Sequence, residues 1–586
     1  MDGHAECSKD ATTPRSKSKG GAGVKRTTVQ HQQLPPRPRL VPAYPSAAER
    51  MPPRNSQAQG SSLPFSLAGL TATQDGEADG RWVSVITAPA YAPLRCWRSV
   101  MQSLIRHPER NSSNILRADI LADTSATESS EKEAACGWKK QWTVRRALLP
   151  RRPNLDWRME QDCSLYYRYR APGTASNHRD SDDQAHGDDH HEEEDVEEAL
   201  VVYTPLVGVE SHPKMAVPPT VHPAAIGAPP PHEAYVPFYH PKVRALAFHF
   251  RRIPSSDDSE AVIYGGLGIS LVPFSSAPDA ESDGQFGPTH RLSRVGLSLL
   301  TTLHMHTWGE LHSYQKRVHH DQIVARTLYQ DTYLELKSRY ASHLIATWAE
   351  ATDPTKHVFE EMGIAAFLIA LWQQLYATEQ PADGNEEWKR GVKFVDVGCG
   401  NGLLTYILSR EGFKGVGLDL RARKSWTQYR NDGAELHEWT FNPADLIDTP
   451  AASDVWQGAF LIGNHADELT PWLPVLATHY GCRGFINLPC CYFGLNGTRD
   501  FPLLLRGVVP RNEQYLAYIS HVHQQFGWHV ELEPLRIPST KNWCFVGRTR
   551  TPLDPNSPDA VVFQERLDVA IQQALASGWA PRSGQT

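Results

Sequence analysis

The chain has 586 residues, a formal net charge of −7, and 40% hydrophobic against 21% charged side chains. Its length holds two to four domains of roughly 150 residues each, and its composition is that of an ordinary soluble protein. No uninterrupted run of 18 apolar residues occurs and the opening MDGHAECSKD has no apolar core, so neither a transmembrane helix nor a secretory signal is expected.

In chain order, residues 1–78 are rich in Pro, Ser, Gly, Gln and basic residues and poor in aromatics. Such a stretch buries too little apolar surface to offset its chain entropy, and it is expected to be a disordered tail. Residues 79–290 form a mixed α+β region, with strand-like pieces at Leu200–Tyr203 and Leu246–Phe250. The segment 177–199 interrupts it with eleven acids, one Arg and four His. Clustered His and Asp invite a metal reading, but like charges repel, and a solvated, disordered acidic insertion is the plainer one. Its charge of −10 hides a balance of +3 in the rest of the chain, which permits a nucleic-acid partner without demanding one. The nine cysteines are scattered, with no C-x-x-C. They read as reduced thiols of an intracellular protein, with no metal site.

From 291 to 380 the apolar spacing becomes helical. Lys316 and Arg317, with His319, His320 and Tyr314, are either an RNA or phosphate contact or a solvated helix face.

The region 385–550 carries the chemistry. Phe394–Val397 reads as a buried parallel strand, followed by Gly398-Cys399-Gly400-Asn401-Gly402, a helix with Leu403, Leu404, Ile407 and Leu408, and a second strand ending at Asp419. Glycine tolerates positive φ and lets a ligand touch the backbone. A dinucleotide turn has a third glycine where this chain has Leu403. Asp396 ahead of the turn suits a cationic ligand better than a diphosphate, and S-adenosylmethionine is such a ligand. Asp419 follows Gly398 by 21 residues, near the spacing of a ribose-binding acid, and a carboxylate accepts bonds from two hydroxyls. Asp396, Gly398, Gly400, Gly402 and Asp419 are therefore the expected cofactor residues. Arg421, Arg423 and Lys424 lie just past the strand end, where RNA phosphates would need positive charge. Trp439–Phe441 reads as a third strand; Asp445 beyond it either accepts the adenine amino group or caps a helix. A fourth strand ends in Asn464-His465-Ala466-Asp467-Glu468, and a fifth contains Asn487. Two closing strands, at His529–Leu532 and Cys544–Gly547, flank the segment with Lys541. Seven strands with a glycine turn after the first predict an α/β fold, a Rossmann-like class I methyltransferase sheet. Residues 551–586 read as a C-terminal helix and tail.

The stretches FVDVGCGNGLL, GLDLRARKSW, IGNHADELTPWLPVLA, INLPCC and LRIPSTKNW resemble the tRNA (uracil-O2-)-methyltransferase family, as do YQKRVHHD, YQDTYLELKSRYA and KHVFEEMGIAAFLIALW upstream. The resemblance implies 2′-O-methylation of uridine 44 in serine tRNA with S-adenosylmethionine, in the cytoplasm, with no membrane or DNA partner. For the chemistry, Asp467, Glu468 and Lys541 are the first candidates, with Asn464 and Asn487 as orienting groups. A methyltransferase for another acceptor, or an inactive RNA-binding protein on the same fold, stays open.

Overall fold

The computed structural model describes residues 35–45, 82–126, 133–134, 137–153, 155–170, 195–207, 235–253, 262–274, 287–314, 320–377, 386–448, 454–551 and 558–579. It divides into two compact units, Met1–Gln315 and Lys316–Thr586.

The first unit is an antiparallel sheet with two helices. Its strands are β1 (Val83–Ala90), β2 (Ile115–Asp123), β3 (Glu133–Ala134), β4 (Trp138–Pro150), β5 (Met159–Tyr169), β6 (Val196–Leu206), β7 (Val243–Arg252) and β8 (Gly265–Pro273). They run in the order β1-β8-β7-β6-β5-β4-β2, with β3 paired to β4. Helices α1 (Leu94–Arg106) and α2 (Arg291–Leu311) complete the unit. Trp97, Met101 and Leu104 of α1 and Leu300 and Leu303 of α2 share one core with Val144, Val201, Phe248 and Phe250 of the sheet. At Gly296 a Cβ would stand 3.1 Å from Ile86 Cγ2, so a glycine lets α2 lie close to the sheet.

Three sequence expectations change here. The helical run read as 291–380 is divided, because α2 buries its apolar face in the first unit. Residues 35–45 of the expected disordered tail are described and packed. Ala43 and Thr87 exchange backbone bonds at 2.8 and 2.9 Å, and Leu40 and Tyr44 rest on the core; backbone pairing to β1 needs no apolar run. The acidic segment ends inside β6, where Glu198 is buried between Arg168 and Arg251. Residues 177–194 lie outside the described residues, as do 1–34 and 46–78.

The second unit opens with α3 (Arg326–Ala346) and α4 (Pro354–Tyr376). Then come β9 (Lys393–Val397), α5 (Leu403–Arg410), β10 (Lys414–Asp419), α6 (Ser425–Asn431), β11 (Glu435–Glu438), α7 (Asp445–Asp448) and β12 (Phe460–Asn464). The rest is α8 (Leu473–His479), β13 (Gly484–Leu488), α9 (Arg511–Gln525), β14 (Glu531–Pro534), β15 (Trp543–Gly547) and α10 (Pro558–Ala576). The sheet order is β11-β10-β9-β12-β13-β15-β14. The first five strands are parallel and β15 is antiparallel to both neighbours. The order reverses beside β9, which makes a crevice at the C-terminal ends of β9 and β12. The third strand, β11, ends one residue before Trp439, so Trp439–Phe441 is the loop that leaves it.

Both faces are covered, which is why the strands read as continuous apolar runs. Trp372 of α4 packs among Phe394, Phe413 and Phe460 on one face. On the other, α8, α9 and α10 bury Leu476, Tyr515 and Ile571 against Val395, Leu461 and Phe485. Helix α4 is apolar enough in length and composition to cross a membrane, but 72% of its most apolar window is buried within the protein.

Candidate active site

The glycine turn is held by its own backbone. Gly398 and Cys399 N–H groups both donate to the Leu418 carbonyl, at 2.8 and 3.0 Å. Gly398, Gly400 and Gly402 all have φ between +54° and +77°, a region that favours glycine. Their missing side chains do different things. A Cβ at Gly398 would stand 3.3 Å from Ala466 Cβ, and one at Gly402 would stand 2.8 Å from Leu436 Cδ1. At Gly400 it would meet no atom within 4 Å, so this glycine faces open space. The Gly400 N–H donates to Asp419 Oδ2 at 2.8 Å, and Trp426 Nε1 donates to the Gly400 carbonyl at 3.0 Å. Asn401 starts α5 by accepting the Leu403 N–H at 2.9 Å.

That open space is a cavity of about 370 Å³, within the range of small-molecule sites. Gly398 and Gly400 form one wall and Asp419, Arg421 and Arg423 the next. Trp439 and Phe441 supply an aromatic wall, and His465–Leu469 closes the side at the end of β12. Trp579, beyond α10, completes the lining. Its ring lies edge-on to Phe441 and Trp472, with centroids at 5.7 and 6.0 Å.

Buried acids stand behind and beside the cavity. Asp396 is 1% exposed. Its Oδ2 accepts the Thr405 hydroxyl at 2.8 Å, and its Oδ1 has no partner. Burial, with the Asp419 charge nearby, pushes its pKa up to about 7 against the relief of the Thr405 bond. Glu361 is raised well above the usual range by burial and by the Asp396 and Glu360 charges; Asn464 Nδ2 donates to it at 3.0 Å. Glu360 goes the other way. Burial opposes its charge, but the hydrogen bond and charge of His465, with Lys356 and His357, hold it below the usual range.

His465 Nε2 lies 3.3 Å from Glu360 Oε1, and its Nδ1 has no partner. An ionised Glu360 accepts a hydrogen bond from the Nε2–H, which leaves Nδ1 as the acceptor nitrogen of a neutral ring. His465 and Asp467 both have positive φ, 54° and 46°. Strain of this kind in non-glycine residues gathers at functional sites. Cys490 Sγ donates to Asp467 Oδ1 at 3.2 Å, and both Cys490 and Cys491 are pushed up by burial and by Asp467.

Of the residues expected from sequence, Gly398, Gly400, Asp419, Arg421, Arg423, Asp467 and Glu468 line the cavity. Others do not. Asp396 lies behind the turn, and Gly402 packs on Leu436 and Trp426. Asp445 begins α7, and the Trp439–Phe441 loop comes to the cavity in its stead. Lys424 is the residue before α6, in helical conformation. Asn464 lies outside the lining, its Nδ2 donating to Glu361 and its Oδ1 buried without a partner. Asn487 is fully buried and bonded to the Thr470 carbonyl at 2.8 Å and to His523 at 3.3 Å, so it is framework rather than an orienting group. Lys541 Nζ is engaged by Tyr492 Oη at 2.9 Å and Asn512 Oδ1 at 3.3 Å, away from the cavity lining. Lys316 and Arg317 lie outside the described residues.

Sequence reading missed four groups. His465 sat inside a stretch already flagged, and Glu360 lay in a helix read only for its apolar face. Trp439 was assigned to a strand, and Trp579 lay in a segment read as tail.

S-adenosylmethionine fits these residues. The open side of Gly400 allows close backbone approach, Asp419 offers a carboxylate at the tip of the second strand, and Trp439 and Phe441 offer aromatic surface.

A family model described as "Predicted AdoMet-dependent methyltransferase" matches residues 323–443, and one described as "TRM44-like, N-terminal bet v1-like domain" matches 56–317. The chain is 33% identical over 543 residues to the tRNA (uracil-O(2)-)-methyltransferase of Schizosaccharomyces pombe, covering 87% of this chain and 91% of that one. It is 34% identical to that of Neurospora crassa, covering 81% and 88%, and 36% identical to that of Yarrowia lipolytica, covering 60% and 65%. The chain belongs to the tRNA (uracil-O(2)-)-methyltransferase family, with S-adenosylmethionine as its cofactor.

Proposed function

We propose that this chain methylates the ribose 2′-oxygen of uridine 44 in serine tRNA, in the cytoplasm. The observation that carries the chemistry is the meeting, around one cavity, of Gly400, Asp419 and His465, the last held from behind by Glu360. The substrate rests on the relatives' names, on the family resemblance, and on the cationic rim of Arg421 and Arg423.

Bound S-adenosylmethionine supplies an electrophilic methyl group. Asp419 binds the ribose of the cofactor, with its carboxylate fixed by the Gly400 N–H. Trp439, Phe441 and Trp579 shield that end from water. The imidazole of His465, which lines the cavity, accepts the proton of the attacking 2′-hydroxyl, and Glu360 orients the ring and stabilises the imidazolium that forms. Asp467 and Glu468 supply further acceptors beside it. Holding the two reactants in line contributes much of the rate. Arg421 and Arg423 meet the RNA backbone at the rim; this charge orients the substrate without reading its sequence.

The test is methyl transfer from labelled S-adenosylmethionine to unmodified serine tRNA, with the product mapped. A single 2′-O-methyluridine at position 44 supports the reading. Label elsewhere in tRNA moves the site, and transfer insensitive to ribonuclease points to another acceptor class.

A further inference from the structure

The first unit holds a second cavity, of about 430 Å³, between its sheet and the start of α2. Arg146, Lys242 and Arg291 line it, with His240 and His290. Among the described residues that line it, none is a carboxylate. The apolar part includes Tyr203, Phe248 and Phe238, and Phe238 is 74% exposed at the mouth.

Arg146 is 2% exposed and all its partners are neutral. Its Nε and Nη2 donate to Gln161 Oε1 at 3.1 and 2.7 Å, and its Nη1 donates to the Leu104 and Ile105 carbonyls at 3.2 and 2.5 Å. Those carbonyls close the last turn of α1, whose dipole offers about half an elementary charge against a full one. Capping accounts for Arg146 as a packing residue. It does not account for the further cations, the absence of acids in the lining, or Tyr203. The Tyr203 ring lies under the guanidinium, with Cζ 4.6 Å from its centroid. Its hydroxyl is buried and makes no hydrogen bond of good geometry, since the nearby Arg146 N–H groups are spent on Gln161 and the two carbonyls. A buried polar group without a partner is costly, and a buried cation without a counter-charge is costlier.

The frame is rigid. Gln161 Nε2 lies 2.9 Å from His240 Nε2, and His240 Nδ1 lies 2.8 Å from the Pro241 carbonyl. Gln161 thus donates to a neutral His240, whose other nitrogen donates onward. The relay fixes Arg146 before any ligand arrives.

We propose that this cavity binds a nucleotide unit, its phosphate on Lys242 and Arg291 with the buried Arg146 charge behind them, and its base against the aromatic wall with the Tyr203 hydroxyl as a polar contact. Cations with exposed aromatic surface and no acid are the set that phosphate and base need together. The nucleotide is either free or a residue of a bound RNA. This site lies within the first unit and its nucleotide binding does not depend on the reading given for the methyl-transfer site; only the tRNA arm of the test rests on that reading.

The probe is uridine 5′-monophosphate, titrated calorimetrically into the full chain, with uridine as the phosphate-free control. Binding of the monophosphate, about tenfold weaker binding of uridine, and about tenfold loss in the double variant Lys242→Ala/Arg291→Ala are expected. Tyr203→Phe removes one oxygen, keeps the packing, and is expected to weaken binding as well. Affinity for S-adenosylmethionine is expected to stay unchanged in all variants. A raised KM for serine tRNA in the same variants assigns the site to RNA; an unchanged KM assigns it to a free nucleotide. No detectable monophosphate binding together with an unchanged KM for tRNA overturns the proposal, as does binding that none of the variants alters. Loss of methyl transfer in the wild-type chain would bear on the other site alone.

Discussion

His465, at the end of β12 and in the lining of the cofactor cavity, sets its Nε2 3.3 Å from the Glu360 carboxylate of α4, while its Nδ1 is buried without a partner. A strand end and a core helix distant in sequence together make one acid–base unit.

Replacing that imidazole removes the proton acceptor. His465→Ala is expected to lower the turnover number by about 10²-fold or more. Glu360→Gln keeps shape but loses the charge that sets the tautomer, and a smaller loss is expected. Steady-state kinetics check both. A Glu360→Gln enzyme with wild-type turnover would remove the carboxylate from the mechanism.

Asp419 ties the second strand to the turn. Asp419→Ala is expected to weaken S-adenosylmethionine binding by at least about tenfold, because the ribose hydroxyls lose an acceptor and the Gly400 N–H loses its anchor. Calorimetry with the cofactor reads this directly, and unchanged affinity would contradict the assignment.

Gly497 has φ +74°, and a Cβ there would stand 2.4 Å from Trp579 Cε3. Gly497→Ala is expected to displace the Trp579 ring from the cavity wall. Trp579→Ala removes it outright. Both are expected to raise the KM for S-adenosylmethionine more than the KM for tRNA, and equal effects on the two would deny Trp579 a place at the cofactor.

Asp396 has a folded-state pKa of about 7 against an ordinary 3.8. Between those values the native chain holds the proton that the unfolded chain has lost. Its contribution therefore favours folding below pH 3.8 and is lost as pH rises toward 7. Asp396→Asn keeps an acceptor for Thr405 and is expected to flatten the fall in stability across that interval. Denaturant midpoints at pH 5 and pH 8 measure it; parallel declines in both proteins would refute the shift.

The second unit was legible because its information is local. The strand, glycines, helix and Asp419 lie within 26 residues, and their order alone predicts the βαβ unit. Strand β11 is hard to read from sequence because only Leu436 of its four residues is buried and Trp439–Phe441 is more apolar than Glu435–Glu438. The rest of the site is made by long-range contacts. Glu360 meets His465 across 105 residues, and Trp579 reaches the cavity from beyond α10. In the first unit, neither the packing of residues 35–45 nor the acid-free cavity has a periodic signature, since both depend on which strands become neighbours.

The most direct measurement is transfer of labelled methyl from S-adenosylmethionine to unmodified serine tRNA by the wild-type chain and by His465→Ala, with the modified nucleotide mapped. One 2′-O-methyluridine at position 44, formed by the wild type and all but lost in the variant with cofactor still bound, is the predicted result. Methylation at another position or on a base, or an undiminished rate in His465→Ala, would contradict it.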